Sequence, residues 1–567
     1  MIAIIPIATG QPLDLAPDAE FEIQMEQPLL SDELPAPFST QISFPPTARN
    51  NGVFGFAGAR VLFEPAHKTV YCRLEIAGLP WMTGTLVYDG IEDGNLQYTF
   101  TGQDILGLDD DAEHFPSSLM TLQTMDTYAG MLGRYPVMAP LIINDGQQAK
   151  ELGDDDGQVS PAVKYKNYYG YKGFGSPRVL DKKELVFTPV RNIKACFLDS
   201  FFPSAGHGHL EISQTLEPFL EQMAMVCPYN NSTWAGLDAI PIGGEEYFSP
   251  PPLSIPKISA KSILENVCRI LCCAIYIDSG TIRMLNAADV LGSAALKLGD
   301  ELFSDSCSCS TMKARNYAFK FGNDESDNTY TPKSAAGADD QPEQTSLGYG
   351  ELLRLPSSEY KLLRHILPSG KSGDIYSAKS YAYAGLNSIL CDNLFHNLGS
   401  CEQRVGASES IERSSSWKLV RCVPQNISQP AGDSPRSVYH MTPVIPAVGA
   451  DEERGDCVYI GLLKSELAQL VDKGCYYNAS GTIVEDNVSL APADLYSSLH
   501  HTLADWVSRD RQVLKVSLNV SPAFLTDKLK LWRRYYFAGR YWLIKSLTVH
   551  CSAKADKPEV EAEFVEC

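Results

Sequence analysis

The sequence predicts a β-rich α+β chain built of several small β-barrel or sandwich-like domains with helix-on-hairpin α/β units between them. Three observations predict it. Aromatic residues make up 10% of the 567 positions, led by 27 tyrosines, and flat rings pack well on the pleated, half-buried surface of a strand. Gly 42 and Pro 36 supply many turns inside a composition, 44% hydrophobic and 20% charged, that is ordinary for a packed protein. Apolar and polar residues alternate near both ends of the chain, the period of a strand with one buried face.

A chain of this length exceeds what a single core fills. Five stretches are expected: 1–105, an N-terminal β domain; 106–250, an insertion or arm with a tyrosine-rich loop; 251–322, a helix-plus-hairpin α/β unit; 323–484, a loop-rich β domain; and 485–567, a C-terminal helix with strands. In the first, Phe21, Ile23 and Met25 alternate with Glu22, Gln24 and Glu26, giving a strand. Thr85–Tyr88 and Leu96–Phe100 flank Asp89-Gly90 and Asp93-Gly94, a hairpin with a loop longer than two residues. Residues 105 to 210 hold possible helical pieces around Ser117 to Leu132, then the loop Lys164 to Gly175.

In the third stretch, Ser259 can cap a helix whose Ile263, Val267, Ile270 and Leu271 share one face. Ala274 to Leu285 then reads as two short strands turning at Ser279-Gly280. Two polar stretches, Asn323 to Gly350 and Gln425 to Asp456, read as long surface loops. In the last stretch, Leu495, Leu499, Leu503, Trp506 and Val507 form one helical face behind Pro492. Leu514 to Val520 alternates as a strand, Tyr535–Phe537 and Tyr541–Ile544 flank Ala538-Gly539-Arg540, and Val560, Ala562 and Phe564 alternate with Glu561 and Glu563.

The formal net charge of -22 argues against sequence-independent binding to the outside of DNA, which needs a basic face. Two readings of the acidity stay open, solubility alone or a channel wall along which DNA slides without sticking. The N-terminal apolar run is interrupted by Pro6 and lacks a preceding basic residue, so it is a poor signal peptide; no apolar stretch has the length of a membrane helix. Synthesis in the cytosol is expected. Fifteen scattered cysteines, with Cys272 and Cys273 adjacent in a helix, suggest buried free thiols, and Cys307-Ser-Cys309 is the other close pair.

Catalytic signatures fail on named residues. Gly370-Lys371-Ser372 has His365 where a phosphate-binding loop needs glycine, and Gly173-x-Gly175 has Arg178 where a dinucleotide fingerprint needs its third. His207 and His209 lack further ligands at metal spacing. Asp109–Asp111 with Glu113, and Asp154–Gly157, are acidic loops without the ligand order of an EF-hand. No hydrolase signature appears, so no enzyme activity, cofactor or metal is expected. The loop carrying Tyr165, Tyr168, Tyr169, Tyr171 and Phe174 suits a protein interface, where tyrosine gives contact area at low entropic cost. Glycan or nucleic-acid stacking is its alternative.

The order Ala493–Tyr496, a helix ending Ala504-Asp-Trp506, the alternating strand Leu514–Val520, and Tyr-Tyr-Phe-x-Gly-Arg-Tyr-Trp-Leu-Ile-Lys at 535–545 resembles structural tail proteins of phages and prophages of gut anaerobic bacteria. So do Leu253–Ser259, the helix after it and the hairpin Ile275–Leu285. These segments look like the tail-tip, or baseplate, hub proteins, and the resemblance covers about 12–105, 250–322 and 485–567. It implies a homotrimer presenting a pseudo-sixfold ring to the tail tube or distal tail protein. The tape measure protein and DNA would pass within, and spike or fibre proteins would sit beyond. Virion localisation follows, with assembly in the host cytoplasm. A receptor- or glycan-binding tail protein and a tail-associated cell-wall hydrolase are the alternatives.

Overall fold

The computed structural model describes residues 2–31, 34, 38–55, 65–102, 138–149, 162–165, 186–198, 209–226, 259–278, 281–322, 401–431, 434–446, 458–464, 469–472, 476–478, 482–554 and 558–567. The chain opens with β1 (Ile2–Pro6), β2 (Glu20–Glu26), β3 (Phe38–Ser39), β4 (Ile42–Phe44), α1 (Ala48–Phe54), β5 (Thr69–Ile76), β6 (Leu79–Glu92) and β7 (Asn95–Thr101). β8 (Met138–Ala149), β9 (Ala162–Tyr165), β10 (Val186–Pro189), β11 (Arg191–Asn192), β12 (His209–Ile212) and β13 (Met223–Val226) follow. Next come α2 (Ala260–Ile270), β14 (Cys273–Asp278), β15 (Thr281–Asn286), α3 (Ala287–Gly292), β16 (Leu296–Lys297), β17 (Phe303–Met312) and β18 (Asn316–Lys320). β19 (Cys401–Gln403), β20 (Ser410–Ser414), β21 (Lys418–Leu419), β22 (Arg421–Ala431), β23 (Ser434–Pro446), β24 (Tyr459–Lys464), β25 (Gln469–Val471), β26 (Tyr476–Tyr477) and β27 (Ile483–Val484) precede the last segment. That segment holds α4 (Pro492–Leu495), α5 (His501–Val507), β28 (Arg511–Leu518), α6 (Pro522–Asp527), β29 (Arg534–Phe537), β30 (Arg540–Ser552) and β31 (Glu559–Glu566).

The architecture is β-rich α+β with several separate sheets, as expected. The largest has 13 strands in the order β1-β5-β6-β7-β3-β2-β30-β31-β28-β17, with β4 on β7, β29 on β30 and β16 on β29. Antiparallel pairing from Glu20↔Ser552 to Glu26↔Ser546 joins β2 to β30. Hydrogen bonds therefore make one sheet from the first and last of the five stretches, with β16 and β17 of the third added to it. Phe21 and Ile23 of β2, Phe44, Phe100, Trp542, Ile544 and Phe564 are buried together in one core. The alternation seen in the sequence is thus the alternation of inner and outer faces.

A second core lies under α2 and the hairpin β14–β15, and takes in β18, β20, β24 and residues 488–507. The Ser259 hydroxyl accepts from the Ser262 amide to start α2, and Ile263, Val267, Ile270 and Leu271 are fully buried. The antiparallel hairpin is present as expected; its turn residues lie outside the described residues.

Four expectations are corrected. The β6–β7 hairpin turns on only two residues, Asp93 (φ 49°) and Gly94 (φ 79°). Asp89-Gly90 instead lies within β6, at a register shift between Tyr88 and Gly90, where glycine admits the bulge backbone. Cys272 and Cys273 do not share a helix: α2 ends at Ile270, Cys272 takes a left-handed turn (φ 47°) and Cys273 starts β14. Cys307 and Cys309 are exposed, whereas Cys72, Cys268, Cys272, Cys273, Cys401 and Cys551 are the expected buried thiols. Most of the supposed loop Gln425 to Asp456 belongs to the antiparallel pair β22–β23; Pro424, Pro430, Pro435, Pro443 and Pro446 disguise it, because proline ordinarily interrupts a ladder. The helix of the last stretch is present as expected, with Leu495, Leu499, Leu503, Trp506 and Val507 all buried, and it holds a π turn, Tyr496–His500, between α4 and α5.

The helical pieces near 117–132 and the polar stretch 323–350 lie outside the described residues.

Candidate functional site

The five residues of the anticipated interface divide. Tyr165 ends β9, paired to Asn144 of β8, while Tyr168, Tyr169, Tyr171 and Phe174 lie outside the described residues, as do His207, the acidic runs and Gly370–Ser372. His209 starts β12 and pairs with Thr281 of β15. Among the described residues, no group of three or more His, Cys, Asp or Glu side chains is placed to hold a metal ion.

A buried polar cluster surrounds a residue that the sequence reading passed over, His500. An ordinary helix would give only one face to the core, but the π turn widens the helix by a residue, so that Leu499 and His500 are both buried. The His500 Nε2 stands 2.8 Å from the Ile270 carbonyl at the end of α2. A carbonyl only accepts, so Nε2 carries the proton and Nδ1 accepts from the Tyr317 hydroxyl, 2.6 Å away. Tyr317 in turn accepts from the Cys272 thiol at 3.5 Å.

Burial pushes the His500 pKa down to about 3, against a raising effect from the Ile270 carbonyl. Burial likewise raises the Cys272 thiol and holds Tyr317 well above the usual tyrosine range. All three are therefore neutral at neutral pH. A nucleophilic cysteine needs a base in reach and a lowered pKa; here Tyr317 intervenes between thiol and imidazole. The chain of hydrogen bonds ties α2, β18 and the π turn together rather than moving protons.

Two amides extend this bracing. Asn286 caps α3 through a reciprocal pair with Asp289, and its side-chain amide reaches the carbonyls of Leu271, Cys272 and Leu499 at 3.1–3.2 Å. Gln27, at the end of β2, donates to the carbonyls of Leu531 (2.8 Å) and Ile544 (3.1 Å) and accepts from the Tyr276 hydroxyl at 2.7 Å. Leu29, two residues on, belongs to the second core, so Gln27 stands at the joint between the cores.

The outward side of the large sheet has a different chemistry. Glu20 and Glu22 on β2, and Glu559, Glu561 and Glu563 on β31, alternate with inward apolar residues. Pairing sets Glu22, His550 and Glu559 side by side across three strands, and His550 Nδ1 is 3.0 Å from a Glu22 oxygen. Lys515 and Lys545 offset part of the charge through Glu561 (3.0 Å) and Glu563 (3.1 Å). The result is a predominantly acidic outer face over β2 and β31, with a shallow concavity lined by Glu20, Glu22, His550 and Glu559.

No protein-family model matches the chain, and no curated protein sequence matches it. Among solved structures, the chain is similar to a 43 kDa tail protein of prophage MuSo2 from Shewanella oneidensis, at a TM-score of 0.31 and 8% identity over 99% of this chain and 97% of that one. It is also similar to a tail protein from Neisseria meningitidis MC58, at a TM-score of 0.33 and 7% identity over 100% and 96%. Superpositions this loose carry no argument about fold or function.

Proposed function

We propose that the chain is a structural virion protein of a phage tail, the tip hub that joins the tail tube to the distal spike or fibres and lines the channel for DNA ejection. The observation that carries this reading is the 13-stranded sheet formed between the two ends of the chain, with a buried apolar side and, on the outer side of β2 and β31, a group of carboxylates. Fixed negative charge repels a phosphate backbone, so a wall of this kind lets DNA pass without holding it. The resemblance of its sequence pattern to tail-tip hubs supports the same role. In this reading the chain works as a homotrimer, between tail tube and spike, with the tape measure protein and DNA only in passage, and is assembled in the host cytoplasm.

Gold-labelled antibody against the chain, applied to purified particles, tests the proposal. Label at the tail end away from the head is expected. Label on the head or along the tube, or particles from which the chain is missing, overturns it.

A further inference from the structure

The two ends of β6 differ in chemistry. β5 leaves β6 at Val87, so from Asp89 to Glu92 the strand has β7 alone beside it among the described residues. On this tip Ile91 is 40% exposed, and it stands among the exposed carboxylates of Asp89, Glu92 and Asp93. Neither Glu92 nor Asp93 makes an ion pair among the described residues. At the start of β6, Trp81 and Met82 wall a groove with Met25, Leu531, Trp532 and Leu547. Its volume is about 70 Å³, against roughly 300–1,000 Å³ for a small-molecule site, so it suits one aliphatic side chain. The rim is mostly cationic. From Lys528 to Ile544 the sequence holds five cations, Lys528, Lys530, Arg533, Arg534 and Arg540, and no carboxylate. Lys530 lines the groove, with Glu26 as the opposing charge, and the Arg533 guanidinium lies 5.0 Å from the centre of the Trp532 ring. Lys528 and Arg533 make no ion pair among the described residues.

We infer that the groove seats the β6–β7 tip of a neighbouring copy of this chain, Ile91 filling it while Glu92 and Asp93 meet Lys528 and Arg533. Charge complementarity selects the occupant. Copies carrying a net charge of -22 each repel one another except where the cations of one meet carboxylates of the next, and the tip offers carboxylates around the one apolar side chain the groove can hold. A tip does not reach the groove of its own chain, because Met82 and Glu92 lie about 30 Å apart along β6. The contact therefore runs head to tail between two different surfaces, the kind that closes into a ring when the rotation allows. It rests on the ring-forming hub reading above and gives that ring its subunit contact. The acidic face over β2 and β31 takes no part in it and stays free to line a channel.

Light scattering on the purified full chain tests this. At about 50 µM, where a contact of micromolar affinity is filled, a closed oligomer is expected, and raised salt should loosen it. Glu92→Lys with Asp93→Asn on the tip, where asparagine keeps the turn, should weaken association at least about tenfold, and so should Lys528→Glu with Arg533→Glu at the groove. All four substitutions in one chain should restore the oligomer, because opposite charges face each other again; that rescue also excludes misfolding as the cause of the losses. Ile91→Ser should weaken association with the tip charges unchanged. An oligomer that neither pair of substitutions alters, a fourfold variant that stays apart, or a chain that is monomeric at every salt concentration overturns the inference. The hub reading fails separately, by the gold label, so a label at the tail end with an unaltered oligomer would remove this contact and leave the hub.

Discussion

His500 is a base held neutral by burial, and that has a pH consequence. Its pKa is about 3 in the fold, against an ordinary value near 6.5, so acid favours the unfolded chain. The stabilisation is complete above about pH 6.5 and is lost as pH falls toward 3, by at most about 4–5 kcal/mol. Urea denaturation between pH 7 and 4 should show a steeper loss of stability in the native chain than in His500→Gln. At pH 7 that variant should itself be less stable, by about 1–3 kcal/mol, because the Tyr317 hydroxyl loses its acceptor. Gln27→Ala should lower the melting temperature through a similar loss, since the buried Tyr276 hydroxyl then has no oxygen to reach. Neither residue was legible in the sequence. A histidine beside a second, His501, in an amphipathic helix and a glutamine after a strand look like surface residues, and only the π turn and the closure of the sheet bring His500 and Gln27 inside.

At the scale of elements, the sequence was most readable where one buried face imposed a period. The β2 alternation, the α2 stripe with its Ser259 cap, and the strands β28 and β31 all appear where periodicity set them. It was least readable where backbone conformation decides. Three hairpins turn on a residue pair with positive φ: Ala77-Gly78, Asp93-Gly94 and Ala538-Gly539. Aspartate-glycine is a familiar signal for such a turn, whereas alanine at φ 51° is unfavourable and gives no warning in the sequence. Ala538→Asn should therefore stabilise the chain by about 1 kcal/mol, read as a rise in melting temperature. Ser259→Ala should cost about as much, through the freed Ser262 amide. The β22–β23 hairpin was hidden for the opposite reason, since its prolines argue for a loop while the backbone pairs regardless.

At the scale of the molecule, the acidic outer face gives a prediction for the assembled particle. Replacing Glu22, Glu559 and Glu561 together by lysine should leave the fold intact, because all three point outward. It should slow DNA release from particles in a salt-dependent way, measured by dye uptake after triggering, since lysine contacts to phosphate weaken as salt rises. The composition revealed the acidity but not its gathering on one side, because that depends on β2 and β31 flanking β30 in the same sheet. This neighbourhood also sets a clock on the ribosome. β2 leaves the exit tunnel more than 500 residues ahead of β30, and at roughly 5–20 residues per second its partner follows about half a minute to two minutes later. Throughout that wait β2 is paired on one side only, by β3, and its other edge stands open, so the newborn chain, rather than the finished one, is the stage most exposed to aggregation and most dependent on chaperones.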